Sequence, residues 1–598
     1  MERPDNNRYI YVVWALAASA LGAGLYVAAG RVPFVAAAFG ALGDVSSPVV
    51  RFFYRRPDMA GDPGLWLKHA LCVVGPALLW AAALGRAFPG VAVRFAGLVT
   101  RRSSAYVLIA ASVAAVAALG IFAVNKTSLH PDEAPHVFQG RIFARGALAA
   151  PVPQTEEGLK RAFFRSKDEV AYKGRWFSAY APGPAALSYL GGRLGWPKLF
   201  TVAGAGLILL AVFALGRRTL GPYGGAVALV LAATSPFFLI TQASYLPEAT
   251  LMAFVALGWW AAARVGDGRA SPASVAALGV AAGGVLLTRE YALLYLGPPL
   301  LWYLWRRGRE GGSGGTKGAW FALGAAPFAL AWLWYNWRQT GHAFLPPLYF
   351  ANLDYFGFEE SGAILAALSS TARNLTAFSV DAFGWPLLCL LPAAARPFLG
   401  PRLDAFEKAM YATVLLTALA HFPLREVGIA YGASDFYPAW FALVFITARF
   451  FVILSGRLAR RFPVGAEGVI VAVASALVAF NLACYVPAAI TRCAGRPAGN
   501  RGRWADEEVR LALAELGVKD AVVLIKPRAW CLSTTPGSPF LDDDVVYGRD
   551  NGEYNGELKK IFPGRRFYLL DYRQFRRTGE IGGLEARSPV NVPHEEER

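Results

Sequence analysis

Two adjacent carboxylates and two imidazoles occur within seven residues, His130-Pro131-Asp132-Glu133-Ala134-Pro135-His136, five residues after the end of the apolar run AYVLIAASVAAVAALGIFAV. A carboxylate held in a cleft can take a proton from a hydroxyl group, so either acid could serve as a general base. The spacing could also ligate a metal, although it is not the helical HExxH arrangement. A third reading is local. Val137, Phe138 and Ile142 form an apolar helical face with Arg141 and Arg145 opposite and Gly146 as a stop, so Asp132 could cap the helix or favour its dipole. These residues by themselves leave the three readings open.

Further polar groups recur next to apolar runs. Lys173, Arg175 and Tyr180 lie in KGRWFSAYAPGP, Tyr245 and Glu248 in TQASYLPEAT, and Arg289 with Glu290 in LLTREYALLY. Asn336, Arg338 and His342 lie in WYNWRQTGHAFLPPLYF, Asp381 in SVDAFGWP, and Arg425, Glu426, Tyr431, Asp435 and Tyr437 in LREVGIAYGASDFYP. An ionisable side chain at membrane depth costs roughly 2.5–3.5 kcal/mol on insertion scales, and such groups usually line a functional cavity. Simpler roles exist for each: Arg289-Glu290 as an ion pair at a helix end, Asn336 as an interhelical hydrogen bond, the tyrosines as an interfacial belt.

The elements that must position these groups are membrane helices. The chain has 598 residues, 55% of them hydrophobic and only 17% charged, against about 25% charged in soluble domains. Hydropathy and flanking charge give about thirteen spans, near 8–29, 67–86, 104–124, 197–216, 223–241, 246–264, 272–288, 290–305, 319–336, 379–396, 408–423, 437–456 and 466–488. The first run lacks a cleavage-type exit and reads as a retained anchor. Short Arg-rich loops alternate with longer aromatic ones, which places the N-terminus in the cytoplasm and the C-terminus outside a cell (inner or plasma) membrane. The loop at 31–66, with RFFYRR, is the one exception. The net charge of +18 sits largely in these short loops, which argues against a nucleic-acid partner.

Residues 1–103 hold two extra spans, 104–488 the main membrane unit with a first large outer loop at 125–196, and 489–598 a small α/β unit with strands in AVVLIK and FYLLDY. The apolar stretch 182–196 is too short to span comfortably and reads as juxtamembrane or re-entrant. The five cysteines show no metal-ligand spacing, and Cys493 with Cys531 could pair outside the membrane. The polar residues above then fall on the outer side, drawn from several loops into one cavity.

Together these motifs resemble the GT-C class of polyprenyl-phosphate-sugar-dependent glycosyltransferases, in the branch similar to bacterial protein O-mannosyltransferases and lipid A aminoarabinose transferase. The matching stretches are HPDEAPHVFQGRIFARGALAAPVP, YAPGPAALSYLGGRLGWPKLF, SPFFLITQASYLPEATLMAF, GVLLTREYALLY, LWYNWRQTGHAFLPPLYF and DAFGWPL, over roughly 104–450. The two extra spans and the C-terminal unit lie outside the shared core. The resemblance implies an all-α polytopic fold and transfer of a sugar from a polyprenyl-phosphate donor to an acceptor glycan, lipid or protein at the outer membrane face. It makes Asp132 the general base, with Glu133 orienting the acceptor or assisting a cation. Arg289 would stabilise the departing phosphate, with Lys173, Arg175 and Arg338 behind it and Glu248 orienting a cation or a sugar hydroxyl. Tyr180, Tyr245, Asn336, Asp435 and Tyr437 complete the expected substrate-binding set. A divalent metal cofactor is left open, with Asp132, Glu133 and His136 as its ligands if one binds. A transporter of lipid-linked sugars and a scaffold presenting the C-terminal unit are the competing classes; polar groups gathered at outer ends rather than at midplane favour the enzyme.

Overall fold

A computed structural model of the chain describes most of residues 75–493 and 510–571, together with 585–586; among the stretches outside the description are 1–74, 125–131, 153–162, 352–362, 423–430, 494–509, 527–536 and 587–598. The first expected span, the loop at 31–66, His130, Arg425, Glu426 and Cys531 therefore fall outside it, as do the side chains of Cys484 and Cys493.

The helical part begins with α1 (Gly75–Ala87) and α2 (Arg102–Phe122). The loop after α2 carries α3 (Ala134–Ala144), strands β1 (Ala150–Pro151), β2 (Glu169–Tyr172) and β3 (Arg175–Ser178), and α4 (Gly183–Arg193). The bundle continues through α5 (Leu199–Ala233), α6 (Pro236–Gln242), α7 (Pro247–Gly266), α8 (Pro272–Arg289), α9 (Ala292–Gly308) and α10 (Lys317–Thr340). Then come α11 (Ala363–Asp381), the short α12 (Leu391–Ala395), α13 (Ala405–His421), α14 (Tyr437–Arg461), α15 (Ala466–Phe480) and α16 (Val486–Cys493).

Five described helical segments are long and apolar enough to cross a bilayer: Arg102–Phe122, Leu199–Ala233, Pro247–Gly266, Pro272–Arg289 and Ser434–Arg460. The chain is thus a multi-pass membrane protein. α9 and α13 have 17 residues each, about 25 Å of helix, and so fall a little short of the roughly 30 Å hydrocarbon core. α5 merges two expected spans: at Gly221 (φ 79°), followed by Pro222, the backbone leaves helical geometry, and the chain folds back so that Gly216 and Gly225 meet.

Close helix contact depends on small residues. A Cβ built on Gly279 of α8 would lie 2.1 Å from the Phe321 carbonyl oxygen of α10, and one on Gly324 of α10 would lie 2.1 Å from that of Ala276. The Gly279-x-x-x-Gly283 spacing is the small-residue pattern that lets two membrane helices pack backbone to backbone.

One sequence expectation changes here, and one is sharpened. The span expected at 379–396 is not one helix. The helix lies ahead of it, as α11, and ends at Asp381; the chain then turns at Gly384 (φ 67°) before α12. The apolar content of 379–396 reads as a span, but Gly384, at a positive φ, interrupts any helix there. The stretch 182–196 yields only the 11-residue α4, about 16 Å long, so it does not cross.

The C-terminal unit holds β4 (Ala521–Lys526), β5 (Val545–Arg549), α17 (Asn555–Ile561), β6 (Arg566–Asp571) and β7 (Glu585–Ala586). Its sheet runs β5-β4-β6-β7, with β4 parallel to both β5 and β6. The continuous apolar run of β4 suits a central parallel strand buried on both faces. This unit shares its core with the loop after α2: Phe138, Ile142 and Trp176 pack in one cluster with Val522, Leu524, Leu558 and Phe562. Arg141 Nη1 donates to the Gly537 carbonyl at 2.8 Å, and Arg145 pairs with Asp542 at 2.7 Å. A single mixed core thus joins the α/β unit to α3.

Candidate active site

Glu133 occupies the N-cap position of α3, and its side chain makes no cap hydrogen bond. The carboxylate turns inward instead. It is fully buried, with Oε1 accepting from the Tyr245 backbone N–H at 2.7 Å and Oε2 from the Tyr431 hydroxyl at 3.1 Å. Asp132, one residue earlier, is half-buried. Capping by Asp132, expected from its place ahead of the helix, is therefore not its position in the fold.

A second set of groups converges on the same end of the bundle from three elements. Arg289, the last residue of α8, pairs through Nη1 with Glu248 in the first turn of α7. Its Nη2 reaches Asp435 Oδ1 at 2.9 Å, in the 3-10 turn Ser434–Phe436 that leads into α14. Glu248 and Asp435 are 3% and 8% exposed. In so dry a setting an isolated charge would be prohibitive, and the guanidinium with two carboxylates offsets much of that cost. His421 at the end of α13 lies 3.9 Å from Asp435 and holds its own ring through Thr417.

His136 links the two sets. It sits one turn beyond Asp132 on α3, 2% exposed, stacked on Tyr180 with centroids 5.0 Å apart. Burial, with a further push from Arg289, lowers its imidazole to about 3 against a smaller opposing pull from Asp132. It is therefore neutral at physiological pH. Burial and the Glu133 charge push the Tyr245 hydroxyl up to about 12, and burial with the nearby Asp168 and Asp132 raises that of Tyr180. Lys198, just ahead of α5, donates from Nζ to the carbonyls of Gly120 (3.2 Å) and Val124 (2.9 Å) and lies over the Tyr245 ring. It thereby caps the C-terminus of α2.

The family model for dolichyl-phosphate-mannose-protein mannosyltransferase matches residues 185–335, from within α4 to the last turns of α10. The resemblance to the GT-C glycosyltransferases holds. Solved structures similar in fold include ArnT from Cupriavidus metallidurans bound to undecaprenyl phosphate, at 12% identity and TM-score 0.49, covering 80% of this chain and 95% of that one. The Archaeoglobus fulgidus oligosaccharyltransferase in its apo form aligns at 11% identity and TM-score 0.39, over 69% of this chain and 58% of that one. The mycobacterial arabinofuranosyltransferase AftD aligns at 17% identity and TM-score 0.40, over 75% of this chain and 32% of that one. No curated protein sequence matches.

Of the residues expected from the GT-C resemblance, the fold brings Asp132, Glu133, Tyr180, Tyr245, Glu248, Arg289 and Asp435 to one end of the bundle. It sets Lys173, Arg175 and Arg338 apart. Lys173 is at the exposed tip of the β2–β3 turn, over the Tyr172 ring, and Arg175 donates to the Arg338 backbone carbonyl near the end of α10. Two other expectations are corrected. Asn336 is fully buried, with Nδ2 bonded to the Ala343 carbonyl, so it secures the turn after α10. Tyr437 is also fully buried: its hydroxyl accepts from Gln242 at 3.2 Å and its ring stacks on Trp440. Among the described residues no three His, Cys, Asp or Glu groups converge as metal ligands. Lys198, His421 and Asp168 were missed as members of this neighbourhood. Lys198 alone carried a signal, as a lysine immediately before a long apolar run.

Proposed function

We propose that this protein moves a sugar from a polyprenyl-phosphate donor to an acceptor glycan, lipid or protein at the outer face of the cell membrane, with Asp132 as general base. Membrane glycosyl transfer is the activity class the family match carries; the donor, the sidedness and the base are the finer reading. One observation supports it above others. Of two adjacent acids, Glu133 is sealed and spent on holding the loop, while Asp132 is half-buried, and His136 feels both it and Arg289, a guanidinium 14% exposed that Glu248 and Asp435 hold.

In the proposed step Asp132 accepts the acceptor's hydroxyl proton as that oxygen bonds to the anomeric carbon. The bond from that carbon to the donor phosphate oxygen breaks, and configuration inverts. Negative charge grows on the leaving phosphate, and a preoriented guanidinium stabilises it without reorganising. Lys173, Arg175 and Arg338 would contribute by attracting the anionic headgroup from the membrane surface. The N-terminus lies in the cytoplasm in this reading, and the C-terminal unit outside.

The test is transfer of label from radiolabelled polyprenyl-phosphate sugars in membranes carrying wild type or Asp132→Asn. Loss of a general base lowers the rate by about 10²–10⁴-fold. Undiminished transfer by the variant removes Asp132 from the role.

A further inference from the structure

Lys198 has no part in the step above, yet it is 3% exposed, immediately ahead of α5. Lysine is almost never so enclosed unless paired. A methionine would fill similar space without the cost of drying an ammonium. What that ammonium meets is therefore informative. Nζ donates to the carbonyl of Gly120, in the last turn of α2, and to that of Val124 just beyond it. It also lies 4.7 Å from the centre of the Tyr245 ring and within the field of the Glu133 carboxylate.

Tyr245 stands in the turn between α6 and α7, and that turn serves both halves of the candidate site. Its backbone N–H holds Glu133, the neighbour of Asp132. Three residues further on, Glu248 holds Arg289. The turn rests on α2 at a tight place. A Cβ built on Gly120 would stand 3.3 Å from both the Ala243 carbonyl oxygen and the Lys198 Cδ, so the missing side chain admits the turn's backbone and the lysine stem together. Capping α2 requires donors at its last carbonyls and nothing more. The aromatic ring and the acid are further attachments, and both belong to segments that carry the groups assigned to the reaction.

We propose that Lys198 is a positioning residue: it ties the α6–α7 turn to the end of α2, and through Tyr245 and Glu248 sets where Asp132 stands relative to Arg289. It acts through these residues and contacts no reacting atom. The roles of Asp132 and Arg289 rest on the reading above; the tie itself does not.

Lys198→Met keeps the stem and deletes the ammonium, and Lys198→Gln keeps an N–H donor without the charge. In lipid nanodiscs, kcat for label transfer per folded molecule falls about tenfold or more in Lys198→Met, and by less in Lys198→Gln, as expected for misplaced reacting groups. The KM for the donor stays within about twofold of wild type, since uniform binding is untouched. Capping alone would lower the unfolding temperature and leave kcat per folded molecule unchanged; that result in both variants, or a loss confined to KM, would overturn the proposal. A reporter thiol, Asp132→Cys, needs no turnover. Its maleimide labelling rate, above the background of the native cysteines, changes about threefold or more when Lys198→Met is added, or Lys198→Gln where the methionine chain does not fold. An unchanged rate would overturn the tie. A changed rate, in a protein whose wild type transfers no label, would sink the transfer reading and leave the tie standing. Transfer by wild type, with kcat and labelling rate unchanged in both variants, would do the reverse.

Discussion

Asp132 and Glu133 are neighbours in sequence with opposite surroundings, and this separates what each substitution should do. Glu133→Gln replaces an acceptor-only group that serves both an N–H and an O–H. An amide cannot accept equally at both positions, so the variant should lose about 1–3 kcal/mol of stability, seen as a lower unfolding temperature. Asp132→Asn should leave that temperature nearly unchanged while abolishing transfer; equal effects of the two variants on stability would remove the distinction. His136 gives a pH signature. Its folded value of about 3 lies below the usual 6.5, so between those limits the unfolded chain binds a proton that the folded chain refuses. Stability therefore falls as pH drops through that window. His136→Gln should flatten the decline between pH 6.5 and 4, measured as unfolding temperature against pH. Asp132 and Arg289 are the charges that face this ring, and both are present in the variant.

Among the elements, α3 is held from two sides, by α4 and by the C-terminal sheet, and Asp132 leads directly into it. Gly183 at the start of α4 approaches α8 so closely that an added Cβ would stand 2.6 Å from the Leu287 carbonyl oxygen. Backbone cannot yield as a side-chain tip does, so Gly183→Ala should push α4 away from the end of α8 that bears Arg289. Overpacking of this kind costs about 1–3 kcal/mol. From the other side, Leu524→Ala opens a cavity in the shared core, at about 2–5 kcal/mol. Arg145→Ala removes an exposed pair and a guanidinium lying over the Phe540 ring, each worth about 0–1 kcal/mol. The expected order of transfer activity is Arg145→Ala above both core variants, and a reversed order would mean that the sheet does not steady α3. Long periodic elements such as α2, α7, α8 and α14 were legible in the sequence because apolar length alone specifies a membrane helix. The shared core was not, because Phe138 and Ile142 read as an amphipathic face without naming what covers it. Nor was the break over 379–396, where the positive-φ Gly384 outweighs hydropathy.

At the scale of the whole molecule, counting positive charge in loops assigns the polar residues to the outer side, and the fold bears on whether they gather, whichever side that is. Asp132, Glu248, Arg289 and Asp435 come from four separate segments, yet they share one end of the bundle. A second buried charge cluster, Arg396 with Glu407 at 2.6 Å, joins α13 to the turn after α12. Those residues come from the loop read as cytoplasmic. The contacts of α3 with the C-terminal sheet require the loop after α2 and residues 521–571 to lie on the same side of the membrane, whichever side that is. Single cysteines at Lys173 and Asp542, both substantially exposed, should therefore react with an impermeant maleimide added to intact cells. A cysteine at Arg402, in the exposed turn before α13, should react only after the membrane is opened. Labelling of Lys173→Cys and Asp542→Cys from opposite sides would break the shared core itself. Labelling of both only after permeabilisation would keep the fold but invert the protein, placing Asp132 in the cytoplasm and removing the outer-face reaction.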